Sequence, residues 1–272
     1  MFLVCSSKIE NQLSMGIIQT AERVSQKDLS DNYVFQRSLL AYVEAAHRVS
    51  GNVLEIGTGN GYGAEIISPG CDSFTTIDKY ESEVAKKNTL KNVSFIQMNV
   101  PPFVGIEDNS FDFVISFQVI EHIKNDKQFV KEVYRVLKKG GKFIVSTPNI
   151  RMSITRNPWH VREYTSDELE SLLLAEFQEV EKMGVAGNDK IMDYYSKNKK
   201  SVEKITRFDI FNLQYNMPRF LLQIPYDILN RINRRKLLKN NTSLVSDIKM
   251  DDYQMVPVHD QCFDLFYIAL KK

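Results

Sequence analysis

The chain has 272 residues, 43% of them apolar and 25% charged, with a formal net charge of +1. That length suits one large core with an insertion better than two independent domains, and the near-neutral balance removes any global electrostatic argument for a nucleic-acid binder. Cys5, Cys71 and Cys262 are odd in number and far apart with no CxxC pair, which argues against a disulfide framework or a zinc site.

The opening "MFLVCSSKIE" carries a four-residue apolar run, too short for a signal peptide, and no stretch approaches the roughly 18 apolar residues of a membrane span. A soluble cytoplasmic protein with reduced thiols is expected. Residues 31–49 space Val34, Leu39, Tyr42, Val43 and Ala46 as a helix that ends before Gly51. Helix and strand then alternate. Strands are expected at Asn52–Ile56, Phe74–Ile77, Val93–Gln97, Phe111–Phe117 and Lys142–Ser146, with helical stretches such as Tyr80–Asn88 between them. Phe129, Val130, Val133, Tyr134 and Leu137 line one helical face, which Gly140-Gly141 is expected to terminate. Such alternation implies a parallel sheet covered on both faces.

Thr165 followed by Glu168 reads as a capping box opening a helix through Leu174, then a strand Val180–Val185 and, after a long gap, the final run "CFDLFYIAL". The gap, 188–259, starts hydrophilic and Lys-rich, turns apolar and aromatic, and ends in the basic "RRKLLKNN". Pro218 and Pro225 divide it into two short helical candidates. The expected organisation is a helical cap 1–50, a core 51–187, a helical insertion or lid 188–259 and a returning strand 260–272. Within the insertion, Arg231, Arg234, Arg235, Lys236 and Lys239 alternate with Ile228, Leu229, Ile232 and Leu237. That pattern suits peripheral contact of residues 228–239 with an anionic membrane, or a solvated face packed on the sheet.

The stretch "VLEIGTGNGYGA", Val53–Ala64, places Gly57, Gly59 and Gly61 between a strand and a helix, where backbone can approach a ligand and the helix start favours polar groups. A dinucleotide fingerprint needs glycine or alanine where this chain has Tyr62. Glu55 closes the strand with a carboxylate suited to a cationic group, and Asp78, at the end of the next strand, can accept both hydroxyls of a ribose. Adenosine with a cation describes S-adenosylmethionine.

Through "LEIGTGNGYG", "FTTID", "IQMN", "NSFDFVISFQVIEHI" and "LKKGGKFIVSTPN" the chain resembles the class I S-adenosylmethionine-dependent methyltransferases from about Asn52 to Leu174. The resemblance implies a Rossmann-like α/β sheet of seven strands, mostly parallel with an antiparallel last strand, helices on both faces and a helical insertion before that strand. It implies a cofactor site of Glu55, Gly57, Thr58, Gly59, Gly61, Asp78, Lys79, Asn99, Phe117 and Gln118. Glu55 and the Gly57 backbone would face the methionine amino group, Asp78 the ribose, Asn99 the adenine edge, and Phe117 and Gln118 the methionine side.

Methyl transfer demands alignment, and a hydroxyl acceptor also demands a base. Glu121 and His122 of "QVIEH" and His160 of "NPWHVREYTSDEL" follow the fourth and fifth strands, so all three are candidate catalytic residues, with helix capping and loop ordering as the structural alternative for the histidines. The glutamate–histidine pair also resembles metal-assisted small-RNA 2′-hydroxyl methyltransferases. By that resemblance Gln118 stands in place of a first glutamate, so no metal is expected, with a three-ligand site of one glutamate and two histidines as the alternative. "NPWHVREYTSDEL" looks like the loop of bacterial methyltransferases of surface-glycan and lipid-linked sugar pathways, and ubiquinone-type O-methyltransferases share the "EH". The expected function is O-methylation of a sugar or glycan-type hydroxyl. A small isoprenoid or aromatic acceptor, an RNA 2′-hydroxyl and a non-catalytic cofactor-binding scaffold are the alternatives; nucleic acid is disfavoured.

Overall fold

A computed structural model describes residues 28–82 and 90–272. Among the described residues eight strands form one sheet: β1 Asn52–Ile56, β2 Ser73–Asp78, β3 Val93–Gln97, β4 Phe111–Phe117, β5 Leu137–Pro148, β6 Glu179–Gly187, β7 Tyr253–Pro257 and β8 Asp264–Leu270, in the spatial order β3-β2-β1-β4-β5-β8-β6-β7. The first five pair in parallel, and β8 runs antiparallel between β5 and β6. Strand order therefore reverses beside β1, so the carboxyl ends of β1, β2, β4 and β5 share one edge where ligands bind in open α/β sheets.

The helices are α1 Asn32–Ala46, α2 Tyr62–Ile67, α3 Asp126–Val136, α4 Ser166–Leu174, α5 Asp189–Thr206, α6 Leu213–Asn216, α7 Arg219–Asn240 and α8 Thr242–Ser246. One apolar layer joins Phe129, Val130 and Val133 of α3 to Leu169 and Leu173 of α4 across Leu54, Val114 and Phe143. The opposite face packs Ala41, Tyr42 and Ala45 of α1 and Ala64 and Ile67 of α2 on Val53, Phe74 and Ile144. A third cluster, including Tyr33, Val185, Ile191, Tyr194, Leu237 and Tyr253, lies beneath the insertion.

Several expectations change. The sheet has eight strands rather than seven, because Tyr253–Pro257 pairs antiparallel with β6 and forms an edge inside the segment expected to be wholly helical. Its short, Pro-ended sequence has little strand signal, and only the long-range pairing makes it one. Pro225 does not divide the insertion: it lies within the single 22-residue helix α7, while Pro218 is its N-cap. The stripe of α1 is shifted, with Tyr33, Leu40, Ala41, Tyr42 and Ala45 buried instead of Val34, Leu39, Val43 and Ala46. Helix α3 stops at Val136, before the Gly140-Gly141 pair, because Leu137 already pairs with Phe111 and the register shift before Phe113↔Lys142 absorbs the glycines. The capping box at Thr165 and Glu168 forms as expected, whereas most of the helical stretch Tyr80–Asn88 lies outside the described residues.

Helices α1 and α2 cross closely at Gly63, where an added Cβ would lie 2.1 Å from Tyr42 Cε1. Gly63→Ala is expected to cost about 1–3 kcal/mol through overpacking and to lower the thermal midpoint by roughly 2–12 °C, as a melting curve followed by circular dichroism would measure.

Candidate active site

The turn after β1 depends on backbone that only glycine adopts readily. Gly57, Gly59 and Gly61 have φ of 96°, 52° and 82°. The Gly57 N–H donates to the Ile77 carbonyl at 2.8 Å, tying the turn to β2. A Cβ on Gly57 would lie 2.3 Å from Val119 Cγ2, whereas a Cβ on Gly59 would meet no atom within 4 Å. One glycine is thus needed for packing against the β4 loop, and the other faces open space on the ligand edge.

Glu55 lies under this turn, 1% exposed. Its Oε1 accepts from Tyr42 Oη at 2.9 Å and its Oε2 from Thr76 Oγ1 at 2.5 Å. Because the Thr76 proton goes to Glu55, Thr58 Oγ1 donates to Thr76 Oγ1, also at 2.5 Å. Burial raises the Glu55 pKa from 4.5 to about 7, with the two hydroxyl donors pulling the other way. Asp78, half-buried at the end of β2, accepts from Gly59 N at 3.0 Å through Oδ2 and from Tyr80 N at 2.9 Å through Oδ1. Each carboxylate oxygen offers two lone pairs, so these backbone bonds are compatible with a ribose diol. Lys79 is exposed, with Nζ 4.9 Å from the Tyr80 ring centre, and Asn99 is exposed just past β3.

Phe117 and Gln118 are placed differently from each other. The Phe117 ring, 9% exposed, packs edge-on against Tyr42 at 4.9 Å and lies 6.0 Å from Phe266. Gln118 takes a positive φ of 57°, and its side chain turns toward Ser146 Oγ, 3.4 Å away, and toward Asp264.

The loops after β4 and β5 carry the three candidate catalytic residues. Glu121, 1% exposed, accepts from Thr147 Oγ1 at 3.0 Å, and its backbone carbonyl accepts from Val161 N at 2.7 Å, which joins the two loops. His122 Nδ1 lies 3.1 Å from the Trp159 carbonyl, and His160 Nδ1 lies 2.7 Å from Glu163 Oε1. Both partners only accept, so each Nδ1 carries the proton and Nε2 is the basic nitrogen. On His160 that nitrogen lies 2.9 Å from Asn157 Nδ2, an amide donor. The two imidazole centres are 5.0 Å apart. Burial raises the pKa of Glu121, and the neighbouring His122 and His160 oppose that shift. One ligand atom from each of Glu121, His122 and His160 lies within 4.8 Å of the others, so these three could hold a cation.

Two sets of long-range contacts had no signal in the sequence. Arg37 Nε of α1 lies 2.9 Å from Asp264 Oδ2 at the start of β8, with both side chains largely buried. Their pairing crosses most of the chain and has no local spacing to betray it. Likewise Asp227 of α7 accepts from Trp159 Nε1 at 3.0 Å, and Arg219 donates to the His160 carbonyl at 3.0 Å, so the insertion holds the histidine loop.

Residues 54–145 match the family model described as a methyltransferase domain. A relative in Mycolicibacterium smegmatis, a probable S-adenosylmethionine-dependent methyltransferase, is 31% identical over 273 residues, covering 96% of this chain and 98% of that protein. The chain belongs to the S-adenosylmethionine-dependent methyltransferases. A Mycobacterium tuberculosis protein of the same description is 36% identical over 191 residues, 67% of this chain and 69% of that one. A solved S-adenosylmethionine-dependent methyltransferase from Thermotoga maritima superposes with a TM-score of 0.53 at 16% identity, covering 89% of this chain and 92% of that one, and shares its fold. This methyltransferase is therefore an enzyme of class I architecture with S-adenosylmethionine as cofactor. The open approach at Gly59 and the carboxylate of Asp78 fit that group.

Asp78→Ala is expected to weaken S-adenosylmethionine binding roughly 10- to 100-fold in calorimetry, since charge-assisted hydrogen bonds contribute about 1.5–3 kcal/mol. Wild type should melt higher with S-adenosylmethionine and not with NAD. Glu55 supplies a second expectation. Its folded pKa of about 7 exceeds the ordinary value of 4.5, so the folded form holds the extra proton between those values. Its stabilising contribution is full below pH about 4.5 and is lost as pH rises through about 7. Glu55→Gln should flatten the fall in melting temperature over that window, and an unchanged profile would show that the carboxyl titrates normally.

Proposed function

We propose that the enzyme methylates a hydroxyl of a sugar or glycan-type acceptor, with His122 as general base. The tautomer of His122 carries this reading: the Trp159 carbonyl holds the proton on Nδ1 and leaves Nε2 as the basic nitrogen at the carboxyl edge of the sheet. An alkyl hydroxyl is a poor nucleophile unless its proton is removed, and the site supplies two imidazoles and a carboxylate within a few ångströms. The rim is polar, with Asn157, Glu163 and Arg162 beside the histidines, which suits a polyhydroxylated acceptor better than an isoprenoid or aromatic one.

Gly57, Gly59, Gly61 and Asp78 hold the cofactor in this reading, with Glu55 fixing the turn from beneath. Thr58 supports that turn through Thr76, while Lys79, Asn99 and the backbone of Phe117 and Gln118 border the cofactor. When bound, S-adenosylmethionine supplies an electrophilic methyl on a sulfonium. His122 takes the acceptor proton at Nε2, Glu121 steadies the charge that results, and Glu163 and Asn157 keep the His160 ring in one orientation. Free Cys71 and Cys262 agree with a cytoplasmic setting.

The convergence of Glu121, His122 and His160 favours one second reading, in which a divalent cation held by these three activates the hydroxyl. The two separate cleanly. With methyl-labelled cofactor and an acceptor identified by mass spectrometry of extracts, His122→Ala should lower turnover about 100-fold or more while cofactor affinity stays near wild type, and activity should survive a chelator. Loss of activity on chelation, restored by a divalent cation, would transfer the role to the metal. Full turnover in His122→Ala and His160→Ala would remove both accounts.

A further inference from the structure

Helix α7 is built with its polar side inward. Asp227 and Asn233 are 4% and 6% exposed, while Phe220, Ile224, Ile228 and Ile232 are 69%, 65%, 43% and 57% exposed. Along most of its length the inner face is held by hydrogen bonds and ion pairs, with Leu237 near the C-terminal end packing into the apolar cluster beneath. Asp227 accepts from Trp159, Asn233 bonds to Ser201 and Asn198 of α5, and Arg231 and Arg234 reach Asp31 at 2.9 and 2.8 Å. Two of the cations that suggested membrane contact are thus turned into the protein. The spacing 220, 224, 228, 232 places one apolar residue per turn on the outer face, and that row continues into exposed Arg235, Lys236 and Lys239. The preceding loop adds Phe208, Ile210 and Phe211, 76%, 84% and 77% exposed.

We propose that this outer face lies on an anionic lipid surface. An apolar row of this length facing water is unfavourable unless something covers it. The charge of the segment selects the cover. Residues 207–240 contain seven Arg or Lys (Arg207, Arg219, Arg231, Arg234, Arg235, Lys236, Lys239) and two acids, Asp209 and Asp227. Asp227 is buried and Asp209 caps the N–H groups of Leu213 and Gln214. A second copy docked face to face would oppose two such cationic surfaces, whereas anionic headgroups complement them. Phenylalanine and isoleucine outward, with cations at one end, is the pattern of a helix lying in the plane of a membrane interface. Among the described residues no helix is long and apolar enough to cross the bilayer. Arg219 and Asp227 bind the histidine loop, so a lipid surface against α7 lies next to the acceptor side of the site. The docking does not depend on the acceptor's identity.

Co-sedimentation of the full chain with phosphatidylglycerol–phosphatidylcholine vesicles, compared with pure phosphatidylcholine vesicles, tests this. The protein should pellet with the anionic vesicles and do so less as salt rises. Joint replacement Phe211→Ser, Phe220→Ser and Ile224→Ser should lower partitioning at least tenfold without shifting the melting temperature, because all three side chains are exposed. Arg235→Gln with Lys236→Gln should lower partitioning to anionic vesicles by roughly fivefold per cation, leaving the neutral vesicles unaffected. Failure of the wild-type chain to pellet with anionic vesicles overturns the proposal. So does a dimer in size-exclusion chromatography that the triple serine variant dissolves, which would assign the face to a second copy.

Discussion

The carboxylate of Glu55 is withdrawn from water at the end of β1 and bonded from two sides, and the end of the molecule that carries the glycine turn is built around it. Tyr42 brings in α1, Thr76 brings in β2, and Thr58 joins through Thr76 to the glycine turn. A buried carboxylate without donors would be costly, so helix, strand and turn must keep their relative positions for it to be satisfied. The close crossing at Gly63 meets the same requirement from the apolar side, since only a glycine lets α2 approach the Tyr42 ring that reaches Glu55.

The loops that carry the candidate catalytic residues use a different device. The loops after β4 and β5 have no regular hydrogen-bond ladder to fix them, so each is tied to its neighbour by specific polar contacts. Glu121 binds the other loop through its backbone carbonyl and the end of β5 through Thr147, and Tyr164 reaches across to Asp126. The insertion ties to the same loop through Arg219 and Asp227, and through its Gln214 carbonyl, which accepts from Arg156 of the loop. The polar inner face of α7 has its cause here. A helix that must hold a loop carbonyl and an indole N–H presents Arg219 and Asp227 to them, while Phe220, Ile224 and Ile228 beside them are left outside.

Much of the fold could be read from local pattern. The parallel strands announce themselves as short apolar runs at the observed positions, and Thr165 with Glu168 states where α4 begins. The glycine turn and Asp78 are equally legible, because positive φ and a carboxylate at a strand end are requirements of a few adjacent residues. Strand β7 and the uninterrupted α7 were not legible. Tyr253–Pro257 becomes a strand only by pairing with β6, and Pro225 is tolerated because packing and polar anchors carry the helix past it.

The sequence by itself determined the class of the protein: alternating elements, a turn suited to an adenosine-bearing cofactor, and two histidine-bearing loops at one sheet edge. Tertiary structure alone decided which groups meet. Glu121, His122 and His160 are brought together by loops from two strands, and Arg37 finds Asp264 across the length of the chain. It also decided that α7 turns Asp227 and Asn233 inward while Phe220, Ile224, Ile228 and Ile232 face out. The physical reason is range. Backbone conformation and strand or helix periodicity are written in neighbouring residues, whereas tautomers, buried ion pairs and the direction of a helix face follow from partners that only the completed packing supplies.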